Sequence, residues 1–392
     1  LSAGDVLTIE RLRVTILSAP ITGPVDMSFG QLRDRRACLV EVDADGVTGV
    51  GESWINYPSW AQAERLATYC DGVAPLLLGT DGADPGAVLR RLADRLLPIG
   101  RQAGGAGPIW QAISGVDIAL WDLAGKVAGL PVHRLLGGTT ATGTAAGGAG
   151  VLAYASGIGP TDVEALCDVA LADGYRAVKT KLGFGTERDE RTLSVTRSRI
   201  GAGVELFADA NQAWDVAAAV QIMPMLAAHG VRWIEEPLSG DRVEDLQKLA
   251  ADSDVPLATG ENVYGLDAFE ACMDSAAVAL VQPDLAKSGG FTVAREVTRY
   301  AAASGLRVAP HCYSSAVGVA ASAHLAAAFD TVDWVEADVR PNALRTDLLT
   351  TPLGWEDGAL CVPEAPGLGI ELDPATVARF RIHEEERTIH DR

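Results

Sequence analysis

Asp209, Glu235 and Glu261 each close a short apolar run, with 26 residues from each to the next. A carboxylate at the buried tip of a strand is costly unless a cation neutralises it. Three carboxylate oxygens on neighbouring strands make a hard, incomplete shell suited to Mg2+, with positions left for water and substrate. The alternative is three acidic helix N-caps, common where a strand hands over to a helix. Lys179 and Lys181 flank Thr180, so on a strand both side chains point to one face. Two ammonium groups held together depress each other's pKa, which predicts a neutral base near pH 7, with Lys181, nearer the strand end, as the proton-transferring residue. Asp284 and His311 also end apolar runs. An acid on the adjacent strand can fix the imidazole tautomer and raise its basicity, giving an Asp–His dyad. Taken singly, an exposed lysine pair or a satisfied core histidine accounts for these residues. Taken together they compose a metal-assisted acid–base site.

Such a site needs strands whose C-terminal ends meet at one mouth. The runs are residues 176–182, 205–210, 231–236, 256–260, 278–284, 307–311 and 333–336, each followed by a helical stretch rich in Ala and Leu. Their last polar residues, from Lys181 to Glu336, are spaced 23 to 28 apart. A repeating strand–helix unit of that size requires parallel strands, because each crossover must carry the chain back. With a weaker first candidate at 141–150, mostly Gly, Ala and Thr, the count reaches eight, and the pattern predicts a (β/α) barrel with its reactive end at the strand C-termini.

Ahead of the barrel, residues 6–17 read as a strand and 38–51 as a hairpin around Asp43-Ala44-Asp45-Gly46. Residues 18–36 contain Pro20, Gly23, Pro24 and Gly30 and read as a mobile loop. Residues 60–127 are helical, with Ile113, Val116, Leu120 and Leu123 at three- and four-residue spacing. The expected domains are an α+β unit over 1–128, the barrel over 129–352 and a tail over 353–392 that wraps back onto the first unit.

Composition narrows the function classes. Among 392 residues, 52 are acidic and 32 basic, a net charge of −20 that argues against nucleic-acid binding but not against an anionic substrate, since one metal ion can invert a local field. No apolar stretch is long enough for a membrane span, and the first ten residues lack a signal-peptide pattern. Six scattered cysteines without a CxxC pair fit reduced cytoplasmic thiols. A phosphate-binding GxxxxGK[ST] loop, an HExxH zinc motif and a GxSxG elbow are all absent from the sequence.

The strings Lys179-Thr180-Lys181, Asp209-Ala210-Asn211-Gln212, Trp233-Ile234-Glu235-Glu236-Pro237, Gly260-Glu261-Asn262, Pro283-Asp284 with Lys287, His311 and Trp334-Val335-Glu336 run in the order of the enolase superfamily, and the chain resembles its mandelate racemase branch. The resemblance implies an α/β fold, a modified TIM barrel of (β/α)7β form, with an N-terminal α+β capping domain completed by the C-terminal segment. It implies Mg2+ on Asp209, Glu235 and Glu261, with Glu236 behind them. Lys181, tuned by Lys179, and His311, oriented by Asp284, would be the two acid–base groups on opposite faces of the substrate. Asn211, Lys179 and Glu336 would bind the substrate and its enolate. Asp at position 284 argues against the related branch that opposes two lysines.

The implied reaction removes the α-proton of a carboxylate through an enediolate. Mg2+ supplies the stabilisation that a lone base lacks. The expected outcome is dehydration of a sugar acid, an aldonate or aldarate, to a 2-keto-3-deoxy acid. Racemisation or epimerisation of a 2-hydroxy acid is the alternative, and a catalytically silent barrel kept for binding or scaffolding is a remote one. Resemblance also suggests a homo-oligomer, such as an octamer, with a small carboxylate as its ligand. The front-domain segments 18–36 and 53–60 are the expected substrate selectors.

Overall fold

The computed structural model describes residues 6–58, 60–138, 150–240 and 242–391. The front unit is an antiparallel sheet of β1 (Ile9–Met27), β2 (Gly30–Ala44) and β3 (Val47–Ser53). Against it pack α1 (Ala61–Ala67), α2 (Ala74–Leu77), α3 (Pro85–Gln102) and α4 (Gly107–Ala128). Asp84 caps α3 by accepting from the Ala87 amide, and Gly129, left-handed at φ 68°, ends α4. The segment read as a loop at 18–36 is instead the outer half of the β1–β2 ladder. Its Pro20, Gly23 and Pro24 sit at a register shift between Pro20 and Val25, where a bulge needs no ladder amide.

A short α5 (Val132–Leu135) leads into the barrel. Eight parallel strands follow, β4 (Gly150–Ile158), β5 (Ala177–Lys181), β6 (Glu205–Asp209), β7 (Val231–Glu235), β8 (Leu257–Thr259), β9 (Leu280–Val281), β10 (Arg307–Val308) and β11 (Val335–Asp338). Between them lie α6 (Val163–Ala172), α7 (Thr186–Ile200), α8 (Val216–Ala228), α9 (Val243–Ala251), α10 (Leu266–Asp274), α11 (Gly290–Ala303) and α12 (Ala316–Ala328). β11 pairs with β4, and the Val308–Val332 bridge joins β10 to the approach to β11, so the sheet closes as a (β/α)7β barrel. The first strand is thus 150–158, downstream of the stretch favoured by the sequence, of which 141–149 lie outside the described residues.

The barrel floor explains where polarity begins. Tyr154, Ala177, Phe207, Trp233, Ala258, Leu280 and Ala309 point inward as one buried layer, three aromatic rings filled in by Leu280 and small residues. Phe207 and Trp233 stack at 4.3 Å between centroids. Two residues further along five of these strands, the same face carries Lys179, Asp209, Glu235, Gln282 and His311. The aromatic plug is the dry floor on which the polar layer stands.

After α13 (Ala343–Thr346), the chain adds the hairpin β12 (Trp355–Glu356) and β13 (Ala359–Cys361), which pairs antiparallel with the start of β4. α14 (Pro374–Phe380) then leads to β14 (Arg381–Thr388), which pairs with β1. The tail therefore touches the barrel first and the front sheet last. All six cysteines are free, and no described helix is long and apolar enough to cross a membrane.

Candidate active site

Asp209 and Glu235 end their strands, but Glu261, Asp284 and His311 lie two or three residues beyond theirs. Pro283 and Pro310 lack the amide a longer ladder would need. Gly260, at φ +148°, passes so close to the Gln282 backbone that a Cβ would lie 2.6 Å from it. Asp284 and His311 keep the inward parity of Leu280 and Ala309, whereas Glu261, of the opposite parity to Ala258, reaches the mouth through the break at Gly260.

The front unit closes over this mouth. Ser28, at the β1–β2 tip, donates to the Asn211 carbonyl at 3.0 Å, and Asn56 donates to the Tyr313 carbonyl at 3.0 Å. Buried Glu52 on β3 accepts from the amides of Ser315 and Gly318 at the start of α12, at 2.9 and 3.0 Å. The cap is thereby fixed to the helix that follows His311.

Within the mouth, Lys181 lies 2.5 Å from Asp209 Oδ2 and 2.9 Å from Asn211 Oδ1. Lys179 contacts Glu235 and reaches Glu336 at 3.0 Å. His311 Nδ1 lies 2.6 Å from Asp284 Oδ2, and its Nε2 lies 2.6 Å from Glu261 Oε2. Asn211, at φ 43°, and Glu236, at φ 39°, adopt the left-handed region that non-glycine residues seldom occupy. The Asn211 amide is held by Asp209 Oδ1 at 2.7 Å, and Glu236 accepts from Gln212 at 2.9 Å and Asn262 at 3.0 Å.

The lysine pair behaves differently from the sequence-based expectation. Burial and Lys179 both push the Lys181 pKa down, but Asp209, Glu235 and Glu261 outweigh them and it is raised. Burial likewise lowers His311, yet Glu261 and Glu336 carry it well above the ordinary imidazole value. Lys179 is raised against burial by Glu235 and Glu336. Carboxyl groups respond in two ways. Burial and Asp209 push Glu235 up to about 7, whereas Lys179 and His311 overcome burial and hold Glu336 down to about 2.

Six buried carboxyl groups, Asp209, Glu235, Glu236, Glu261, Asp284 and Glu336, face Lys179, Lys181, Lys287 and His311. Counted with all ten groups ionised, two negative charges remain in excess, and the raised Glu235 and Glu236 carboxyls answer that crowding. Glu235 Oε1 is buried with no hydrogen-bond partner among the described residues. An orphaned carboxylate oxygen beside an excess of two negative charges fits a divalent, oxygen-preferring cation. Ligand atoms of Glu235, Glu261 and His311 lie within 4.8 Å of one another, while Asp209 is turned toward Lys181. The structure thus brings all nine sequence-selected residues to one mouth, but two of the three expected metal ligands are grouped with His311 rather than with Asp209.

Two participants escaped the sequence reading: Gln282 donates to Glu235 Oε2 at 2.8 Å, and Tyr154 Oη lies 3.4 Å from Lys179. Lys287, which the sequence marked without a role, donates to Asn262 at 2.8 Å. Gln282 had a signal, a lone amide inside an apolar run. Tyr154 had none while the first strand was placed upstream.

Fold and mouth together define a capped (β/α)7β barrel with an acid-rich catalytic end. Residues 162–376 match the enolase C-terminal domain-like family, and residues 11–137 match the mandelate racemase / muconate lactonizing enzyme N-terminal domain. The chain is 30% identical to the D-galactarolactone cycloisomerase of Agrobacterium fabrum, over 96% of this chain and 99% of that protein. It is 30% identical to the L-talarate/galactarate dehydratase of Salmonella typhimurium, over 93% of this chain and 89% of that one. A solved racemase from Streptomyces coelicolor A3(2) with bound magnesium superposes with a TM-score of 0.84 at 28% identity, covering 95% of this chain and 100% of that one. The protein belongs to the mandelate racemase/muconate lactonizing enzyme family of the enolase superfamily, and it is a lyase or an isomerase of that superfamily.

Proposed function

We propose that the protein dehydrates a sugar acid, removing the proton next to the carboxylate and expelling the β-hydroxyl as water to give a 2-keto-3-deoxy acid. The observation that carries this reading is the placement of Lys181 and His311. β5 and β10 are three strands apart by the shorter way round, and the acids on and after β6, β7 and β8 occupy the other arc. A substrate carboxylate drawn to that arc would have one proton-transfer group on either side.

Asp209, Glu235 and Glu261 would hold Mg2+, with the Lys181–Asp209 contact exchanged for coordination. The cation would withdraw charge from the substrate carboxylate and so weaken the adjacent C–H bond. With the carboxylates that raise both groups engaged by a cation, one of Lys181 and His311 would take the α-proton and the other would deliver a proton to the departing hydroxyl; the resulting enol would lose its hydroxyl proton and gain one at C3 to become the 2-keto acid. Asp284 fixes the imidazole through Nδ1, leaving Nε2 toward the substrate. Lys179 and Asn211 hold the developing negative charge, and Glu336 positions Lys179 at 3.0 Å.

The dehydratase relative supports this outcome, and the cycloisomerase relative, matched over 96% of the chain, supports a second one in which the same α-proton step serves isomerisation of a sugar lactone. Incubation of the protein and Mg2+ with aldonic and aldaric acids, assayed for 2-keto acid, should give a product that EDTA abolishes. Exchange of the C2 hydrogen in D2O without keto-acid formation would replace dehydration by isomerisation. Absence of both would refute the α-proton chemistry.

A further inference from the structure

The cap wall near Lys181 carries buried polar atoms in need of partners. Trp54 Nε1 and Tyr57 Oη are buried and have no hydrogen-bond partner among the described residues, and Tyr313 Oη has only the Arg35 guanidinium beside it, without a well-aligned bond. They form one patch. Trp54 and Tyr57 are 6.2 Å apart by ring centroid, Phe29 meets Tyr57 edge-on at 5.1 Å, and the Tyr57 hydroxyl feels both Tyr313 and Lys181. Val25, Met27 and Leu32 of the β1–β2 hairpin pack against Tyr313 as the apolar part of the same wall. Buried donors are almost always paired, so unpaired ones that cluster on a closing surface mark a place kept for a ligand.

The charge on this wall is already spent. Arg35, whose guanidinium lies 4.3 Å over the Tyr313 ring, is buried in an ion pair with Asp338, although its Nε remains an unpartnered donor. Lys287 lies 4.7 Å over Trp54 but donates to Asn262 and answers the charges of Glu261 and Glu236. Arg33 is exposed and bonded to Gln31. A second carboxylate at this end would lose its water and meet no uncompensated positive charge. Hydroxyl, ring-ether or lactone oxygens would accept from the free donors, while the aromatic faces cover the C–H surface of a sugar.

We propose that the end of the substrate remote from its reacting carboxylate is neutral and oxygen-rich, so that the protein takes monocarboxylic sugar acids in preference to the matching diacids, with Trp54, Tyr57 and Tyr313 as the residues that read it. This rests on the α-proton reading above and narrows its substrate class. The test measures kcat and KM with Mg2+ on stereochemically matched aldonic and aldaric acids of five and six carbons, following 2-keto acid and C2-hydrogen exchange in D2O. The expected result is at least a tenfold higher kcat/KM for an aldonate than for its aldarate. Tyr57→Phe should raise KM for that aldonate several-fold with kcat nearly unchanged, and should narrow the preference. Aldarates reacting as well as or better than aldonates would overturn this inference and leave the α-proton chemistry standing. No exchange with either class would overturn both. Tyr57→Phe and Trp54→Phe that each fold normally and leave KM and preference unmoved would remove the wall from substrate reading.

Discussion

The mouth of the barrel and the seam beneath the cap are built from the same materials and finished in opposite ways. At the seam, buried Asp122 on α4 accepts from the amides of Val50 and Leu368 at 2.8 and 2.7 Å and from Lys126 at 2.6 Å. The Leu368 carbonyl faces His324 Nε2 at 3.1 Å, and His324 Nδ1 lies 3.2 Å from His133 Nδ1. If His324 donates from Nε2, its Nδ1 must accept, and the His133 backbone amide at 3.3 Å and the His133 ring at 3.2 Å both face it. One acid and one neutral histidine pair thus fasten the C-terminal segment through both polar groups of one residue. The seam leaves His133 Nε2 without a partner among the described residues, but at the mouth acids outnumber their cations, Glu235 Oε1 is orphaned and several cap donors lack a partner. Satisfied polar groups bind elements together, whereas unsatisfied ones are stability forgone in favour of a ligand.

The largest effects should come from disturbing the mouth, and they should be catalytic. Lys181→Ala and His311→Ala should each reduce turnover by about 10²- to 10⁴-fold, the usual share of a positioned acid or base. Circular dichroism should keep its folded signature, but the denaturation midpoint should fall, because removing either cation leaves the buried acids it faces without a partner. Full activity in either variant would strike that residue from the proton path. Parallel collapse of the fold would show that the mouth serves stability as the seam does.

The two regions were also unequally visible in the chain. Lys179-Thr180-Lys181 declares its common face by alternation alone, and Asp209 and Glu235 stand out as charges closing apolar runs. Those signals are local and survive folding. Glu261, Asp284 and His311 were found as residues, but their place past the strand ends depends on Gly260, Pro283 and Pro310 breaking the ladder, which a run of apolar letters does not mark. The β1–β2 extension was hidden by prolines that a bulge tolerates. The seam was illegible because it is non-local: His133 and His324 are 191 residues apart, and Asp122 and Leu368 are 246 apart. No spacing rule links such pairs until the barrel closes.

Cutting the seam should affect stability and leave chemistry alone. Asp122→Ala would strand the Val50 and Leu368 amides in a dry junction, at about 1–3 kcal/mol for each unpaired group. A lowered denaturation midpoint with KM and kcat unchanged at 25 °C would sharpen the contrast between the regions. A selective loss of kcat would break it, by showing that the C-terminal segment transmits strain to the mouth.

The smallest effect concerns pH, and its sign follows from burial. Burial, with a smaller push from His133, lowers the His324 pKa to about 4, against the Leu368 carbonyl acting the other way. Burial and Arg134 lower His133 too, despite Glu364 3.9 Å from its Nε2. With an unfolded value near 6.5, the unfolded chain takes up the proton first, so His324 costs stability progressively as pH falls from about 6.5 to about 4. At pH 5 that loss is about 2 kcal/mol. His324→Gln should therefore be less stable than the parent at pH 7.5, where the histidine hydrogen bonds are intact, and should show a flatter decline toward pH 5. Parallel stability curves for parent and variant across that range would mean that His324 takes up its proton as readily in the folded protein as in the unfolded chain, and that the seam, like the mouth, accommodates charge.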